Sequence, residues 1–135
     1  MKSDKAVVER RKEPRHEIWI DAKVIGPKGS YIAAVKNISG GGMEIQLPRA
    51  IKPHTVVSVS LYLNEEFVFR GVSVWTIGDY INNQWIHRVG IKTKEIVFSN
   101  RQVEKPQEKR ELVERLLPTI RAAGASRIPI GSKAA

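Results

Sequence analysis

Arg10-Arg11-Lys12-Glu13-Pro14-Arg15 stands just ahead of the first alternating apolar run of the chain. Arginine carries a planar five-donor fork of fixed charge. That fork grips phosphate bidentately, pairs with the O6/N7 edge of guanine and stacks on aromatic bases. Pro14 biases Glu13 toward extended backbone. Arg11 and Arg15 can then lie up to roughly 13 Å apart, so an arm of this kind reaches different parts of one nucleotide ligand. The bland alternative is a solvated basic tail. A second constellation follows at Asn37-Ile38-Ser39-Gly40-Gly41-Gly42. Its glycines permit positive φ and close approach of a ligand to the backbone. Exposed N–H groups in such a turn form an anion-binding nest. Asn37 offers an amide edge to a base, and Ser39 a hydroxyl to a phosphate. The bland alternative here is a flexible hairpin turn.

No catalytic pattern competes with these two. His16, His54 and His87 are not at i, i+3 or i+4 from one another, and no HExxH is present, so no metal site is expected. With no cysteine, disulfides, a thiolate nucleophile and Cys-ligated metals are excluded. GxSxG, Walker and GxGxxG patterns are absent. The carboxylates are scattered, with Asp21 on a strand and Asp79 in a loop. The chain reads as a non-enzyme, with no catalytic residue and no cofactor.

The elements that must position the two constellations are strands. Ile18, Ile20, Ala22 and Val24 alternate with Asp21 and Lys23, the period-two mark of a half-buried strand over 18–25. Gly26-Pro27-Lys28-Gly29-Ser30 turns the chain into a second strand over 31–38. Met43, Ile45 and Leu47 share one face of a third, opposite Glu44 and Gln46. Val57, Val59, Leu61 and Leu63 point inward from a fourth over 56–63. A tight turn at Asn64-Glu65 leads into a fifth over 66–77. There Gly71 suggests a β-bulge that moves the inward phase from Phe67 and Phe69 to Val72 and Val74. Trp75, on this strand, is expected in the core, with the rim of a site as the second option. Residues 78–83 read as a loop and 84–93 as a sixth strand. Linked this closely, the strands must pair antiparallel. Closing into a barrel removes the two open edges. Leu112, Val113, Leu116 and Leu117 then fall at helical spacing over 106–117, with Pro106 at the start and Pro118 placed to end or kink the helix. Residues 122–135 read as a frayed tail.

Size and charge agree with one binding domain. A chain of 135 residues with 41% hydrophobic residues holds one small core. Three segments follow: an arm over 1–15, a barrel over 16–98, and a helix with its tail over 99–135. The net charge of +9 sits mostly on the arm and tail, which suits a nucleic acid, an anionic lipid or a small phosphorylated ligand. No apolar run approaches the ~18 residues of a membrane span. The N-terminus lacks the apolar stretch of a secretory signal, so a cytoplasmic protein is expected.

Taken in order, the two motifs resemble those of the PilZ family of bacterial cyclic di-GMP receptors. That family carries RxxxR ahead of a β-barrel and [D/N]xSxxG about 20 to 30 residues later. Arg11-xxx-Arg15 and Asn37-x-Ser39-xx-Gly42 match, with Asn in place of the commoner Asp, and Arg88-Val89-Gly90-Ile91 is similar to the family's closing strand. The resemblance covers roughly residues 9–98. It implies an all-β fold: a six-stranded antiparallel PilZ-type β-barrel with a mobile N-terminal arm and a C-terminal α-helix. It implies that Arg11 and Arg15 hold guanine and phosphate, that Asn37 binds a guanine edge, that Ser39 lies near phosphate, and that a side chain at Gly42 would obstruct the site. Arg10 directly before the motif resembles members that bind an intercalated cyclic di-GMP dimer, which implies two ligands per chain. The function implied is second-messenger binding that orders the arm and relays a signal to an unidentified protein partner, the chain being a monomer or homodimer. Two other classes stand beside it: a degenerate PilZ-like scaffold that binds only protein, and a nucleic-acid-binding small barrel. The second is disfavoured because the few aromatics fall mostly on apolar faces.

Overall fold

The computed structural model describes residues 14–134, with side chains to residue 124. Seven strands and one helix follow in order: β1 His16–Gly26, β2 Gly29–Ile38, β3 Gly42–Leu47, β4 Val56–Tyr62, β5 Glu66–Ile81, β6 Gln84–Phe98, β7 Arg101–Val103 and α1 Pro106–Ala134. Of the expected arm over 1–15, residues 1–13, Arg10 and Arg11 among them, lie outside the described residues.

All pairings are antiparallel, in the order β3-β2-β1-β4-β5-β6-β7, and a further β3–β6 pairing joins the two ends of the first six strands. The six expected strands therefore close into a ring, and β7 is a short addition on β6. Alternation drives the closure. Ile20, Ala22 and Val24 of β1, Met43, Ile45 and Leu47 of β3, and Val57, Val59 and Leu61 of β4 are all buried. One apolar face per strand encloses one core, and strands without free edges leave fewer unpaired backbone groups.

Two expectations on β5 need correction. The strand keeps its inward phase through Gly71, with Phe67, Phe69 and Ser73 buried, while Val74 is exposed. The reason is which strand carries the extra residue. Arg70 pairs with Glu95 and Gly71 with Thr93, so the irregularity beside Gly71 adds Lys94 to β6. The slip in β5 comes later, between Ser73 and Trp75, at Val74. Ser73 tolerates its inward position because its hydroxyl donates to the Lys52 carbonyl at 2.6 Å and accepts from Thr55 N–H at 2.9 Å. The second correction is the loop expected over 78–83. Gly78, Asp79, Tyr80 and Ile81 are strand, paired with His87, Ile86, Trp85 and Gln84. Only Asn82 and Asn83 turn, at φ 52° and 65°. Two consecutive positive φ values match the twist of a hairpin, and Asn tolerates them.

Helix α1 also runs further than 106–117, through Pro118 and the stretch read as a frayed tail, to Ala134. Its buried residues fall on both sides of Pro118: Leu112, Val113 and Leu117 before or beside it, Ile120 after it. Pro118 itself is exposed, as is Glu114 one turn earlier. The carbonyl that loses its N–H partner there lies on the exposed face of the helix, and apolar docking outweighs the local cost. The helix packs against β1, and a Cβ on Gly124 would overlap the Trp19 carbonyl. Lys109 is buried with its Nζ donating to the Thr93 carbonyl at 2.7 Å, so its charge is not stranded in the interface.

Candidate functional site

Register brings Arg15, the last residue of the first motif, to the second. β1 pairs with β2 so that His16 faces Ile38 and Glu17 faces Asn37. Arg15, exposed and one residue before His16, therefore leaves the sheet at the Ser39 end of the glycine loop. Of the expected site residues, the structure brings together Arg15, Asn37, Ser39 and Gly42. Arg10 and Arg11 lie outside the described residues.

The loop itself is tightly held. Ser39 N–H donates to the Gly42 carbonyl at 2.8 Å. Ser39 Oγ accepts from the N–H groups of Gly41 and Gly42, both at 3.2 Å. The N–H nest expected to face an anion is thus filled by the loop's own serine, a side-chain turn of the kind Ser readily makes. Thr93 N–H donates to the Gly41 carbonyl at 2.9 Å, which pins the loop to β6. The glycines serve close packing rather than positive φ. A Cβ on Gly42 would overlap the Ile91 carbonyl, and one on Gly40 would lie 2.5 Å from Arg110 Cα. The loop is clasped between β6 and the first turns of α1, with half-buried Arg110 beside it.

A row of side chains crosses the outer face from this loop. Asn37 pairs with Glu44, Glu44 with Gly90, and Gly90 with Trp75. Glu44 points away from the core, between buried Met43 and Ile45, yet is only 7% exposed. Its Oε2 accepts from Arg88 Nε at 2.8 Å, and its Oε1 accepts from Asn37 Nδ2 at 3.3 Å. Arg88 also reaches Asp79 Oδ2 at 3.5 Å and lies 5.8 Å from the Trp75 ring centre. Burial pushes the Glu44 carboxyl up, but the Arg88 hydrogen bond and charge, with help from Asn37 and Lys36, outweigh it and leave it below its ordinary value. Arg88 is held above its own, chiefly by the Glu44 hydrogen bond and charge.

Trp75 does not join the core. It is half-buried on the outer face, lying so close over Gly90 that any Cβ there would overlap the indole. The core expectation rested on the apolar bulk of the indole, and the slip at Val74 turns the residue outward. Glu44 and Arg88 were not singled out as site residues. Both hold outward positions on alternating strands, and Arg88 opens the Arg88–Ile91 stretch that resembles the family's closing strand. The β3–β6 pairing that joins them is a contact between residues 44 positions apart. Among the described residues no cluster of His, Cys, Asp and Glu could hold a metal ion.

The site is therefore a polar patch on a closed β ring, with an arginine at its entrance, an amide and a clasped Gly/Ser loop at its centre and an indole at its far edge. A family model for the PilZ domain matches residues 9–112. The chain belongs to the PilZ domain family. Two solved structures of MrkH from K. pneumonia resemble this PilZ domain. The apo form has 15% identity and a TM-score of 0.55, covering 82% of this chain and 50% of MrkH. The complex with c-di-GMP has 16% identity and a TM-score of 0.57, covering 82% and 52%. The PilZ chain here thus spans about half the length of MrkH, and at this identity the likeness is one of fold. No curated protein matches the sequence. No helix among the described residues is long and apolar enough to cross a membrane.

Proposed function

We propose that this PilZ domain binds cyclic di-GMP and acts as a receptor without turnover. The observation that carries the reading is the β1–β2 register, which sets Arg15 beside the Asn37–Gly42 loop. In this reading Arg11 and Arg15 take guanine and phosphate, and Asn37 takes a guanine edge. The Ser39 hydroxyl acts mainly by shaping the loop, since the loop's N–H groups already engage it. Trp75, half-buried at the edge of the patch, is the aromatic side chain this reading assigns to stacking. Membership of the family supports the reading, as does the fold shared with MrkH, which has been solved with c-di-GMP.

Ligand binding draws the arginine arm across the outer face. Arm plus ligand then form a surface that did not exist before, and a protein partner reads it. Arg10 adds a third guanidinium, which suits a second, stacked ligand and its two further phosphate charges.

Calorimetric titration of the intact chain with cyclic di-GMP tests this. Saturable binding is expected, lost in Arg11→Ala and Arg15→Ala, with two ligands per chain and one in Arg10→Ala. An intact, folded chain that gives no saturable binding would overturn the receptor reading and leave a PilZ scaffold that binds only protein.

A further inference from the structure

Glu44 uses its two oxygens differently. Oε2 is taken by Arg88 Nε at 2.8 Å, and Oε1 accepts from the Asn37 side chain at 3.3 Å. An ionised carboxylate accepts hydrogen bonds and donates none. The end of the Asn37 amide that meets it must therefore be the NH2 group. The Asn37 carbonyl oxygen is then turned away from Glu44.

We infer that Glu44 is a positioning residue that fixes the Asn37 amide with its oxygen toward the ligand, so that this loop selects guanine over adenine. The inference rests on the proposed function and goes beyond it. Guanine presents N1–H and N2–H2 donors along its Watson–Crick edge, whereas adenine presents an N1 acceptor beside N6–H2. A fixed acceptor matches the first edge and opposes the N1 of the second. An amide free to turn over would serve either base. Held by Glu44, Asn37 does the work of a carboxylate without its charge. Aspartate at the same place would put a second carboxylate against Glu44, and like charges at that distance oppose joint ionisation. The residues at 37 and 44 are thus matched to each other. Arg88 keeps Glu44 in place as an acceptor, and the near-complete burial of Glu44 strengthens its hold on the amide.

Titrations with cyclic di-GMP and cyclic di-AMP on the wild type, Glu44→Gln, Asn37→Asp and the double variant test this, with melting temperatures alongside. Glu44→Gln keeps an acceptor for Arg88 but can also donate, so the amide can turn over. Its preference for guanine over adenine is expected to fall roughly tenfold, within the discrimination one good base contact supplies. Asn37→Asp alone is expected to weaken cyclic di-GMP binding about tenfold, and adding Glu44→Gln to restore it, the coupling a cycle of neighbouring residues reports. A folded Glu44→Gln with unchanged preference, or tighter binding by Asn37→Asp beside an intact Glu44, would overturn the inference. A readout without ligand covers a variant that fails to fold. In the wild-type NMR spectrum one proton of the Asn37 NH2 group should exchange slowly with water, and two equally fast protons would sink the orientation. A wild type that binds neither dinucleotide while that proton stays protected overturns the receptor reading and the base selectivity, but not the orientation.

Discussion

Gly42 earns its place through a neighbour on the next strand. Resemblance implies a residue kept small for a ligand, yet an added Cβ would overlap the Ile91 carbonyl of β6, and a backbone atom cannot swing aside. Gly42→Ala is therefore expected to cost about 1–3 kcal/mol of stability, the range of an overpacked core. Gly26→Ala is the control, because its Cβ would meet only Val57 Cγ1 at 3.8 Å, and it should change little. Urea denaturation of both variants checks this, and equal losses would refute the steric account. Glu44 makes a second prediction at this scale. Its carboxyl is held below its ordinary value of 4.5. A depressed folded-state value means that the stabilisation is complete above 4.5 and is lost as pH falls through the folded value. Acid unfolding of the wild type should thus include a step below about pH 4.5 that Glu44→Gln lacks. Both predictions concern contacts invisible in the sequence. SxxG spacing and an alternating Glu were legible there, but the partners Ile91 and Arg88 come from a strand pairing that closes the ring only after folding.

At the scale of elements, legibility followed periodicity. Much of β1, β3 and β4 keeps a period of two and buries residues the alternation marks, while irregularities of register interrupt β1 between Glu17 and Ile20 and β2 between Val35 and Asn37. β5 and β6 depart from it because each takes an extra residue, Val74 in one and Lys94 in the other. A bulge changes phase without a unique residue to announce it. Gly71 sits beside one slip, but glycine is needed there because β6 passes too close for a Cβ. The helix departs for another reason. Pro118 read as a stop, since its ring and missing N–H disfavour a helix interior. Docking of Val113 and Ile120, both fully buried, carries α1 past it. Those terms can be separated. Pro118→Ala restores a backbone hydrogen bond on the exposed face and is expected to stabilise the chain by up to about 3 kcal/mol. Ile120→Ala removes a buried side chain beyond the proline and is expected to cost about 2–5 kcal/mol. If Ile120→Ala leaves the denaturation midpoint unchanged, the part of α1 beyond Pro118 contributes no docking energy.

Across the whole molecule, charge and shape point to a ligand of few phosphates. The excess of basic residues lies on the segments that flank the ring, while residues 16–98 are nearly balanced. Within the outer patch Arg88 is already engaged by Glu44 and Asp79, so its charge is not open to a polynucleotide. A polynucleotide also needs a platform of stacked aromatics. Here Tyr80 and Trp85 are exposed together near the β5–β6 turn, whereas Trp75 sits at the far end of the Asn37 row. These two binding modes respond differently to salt. A polyanion releases condensed counterions, so affinity falls steeply with salt, by roughly 10³–10⁵ between 50 and 200 mM for six to ten phosphate contacts. A dinucleotide carries no such atmosphere, and its hydrogen bonds and stacking survive screening over a Debye length of about 8 Å at physiological salt. Cyclic di-GMP affinity is therefore expected to fall less than about tenfold over that salt range, while any binding of single-stranded DNA or RNA to the same chain collapses. A thermal shift that grows with cyclic di-GMP at 200 mM salt, with none for a polynucleotide, supports a site built for a dinucleotide. The reverse pattern would move the basic flanks to the centre of the function and make the ring their scaffold.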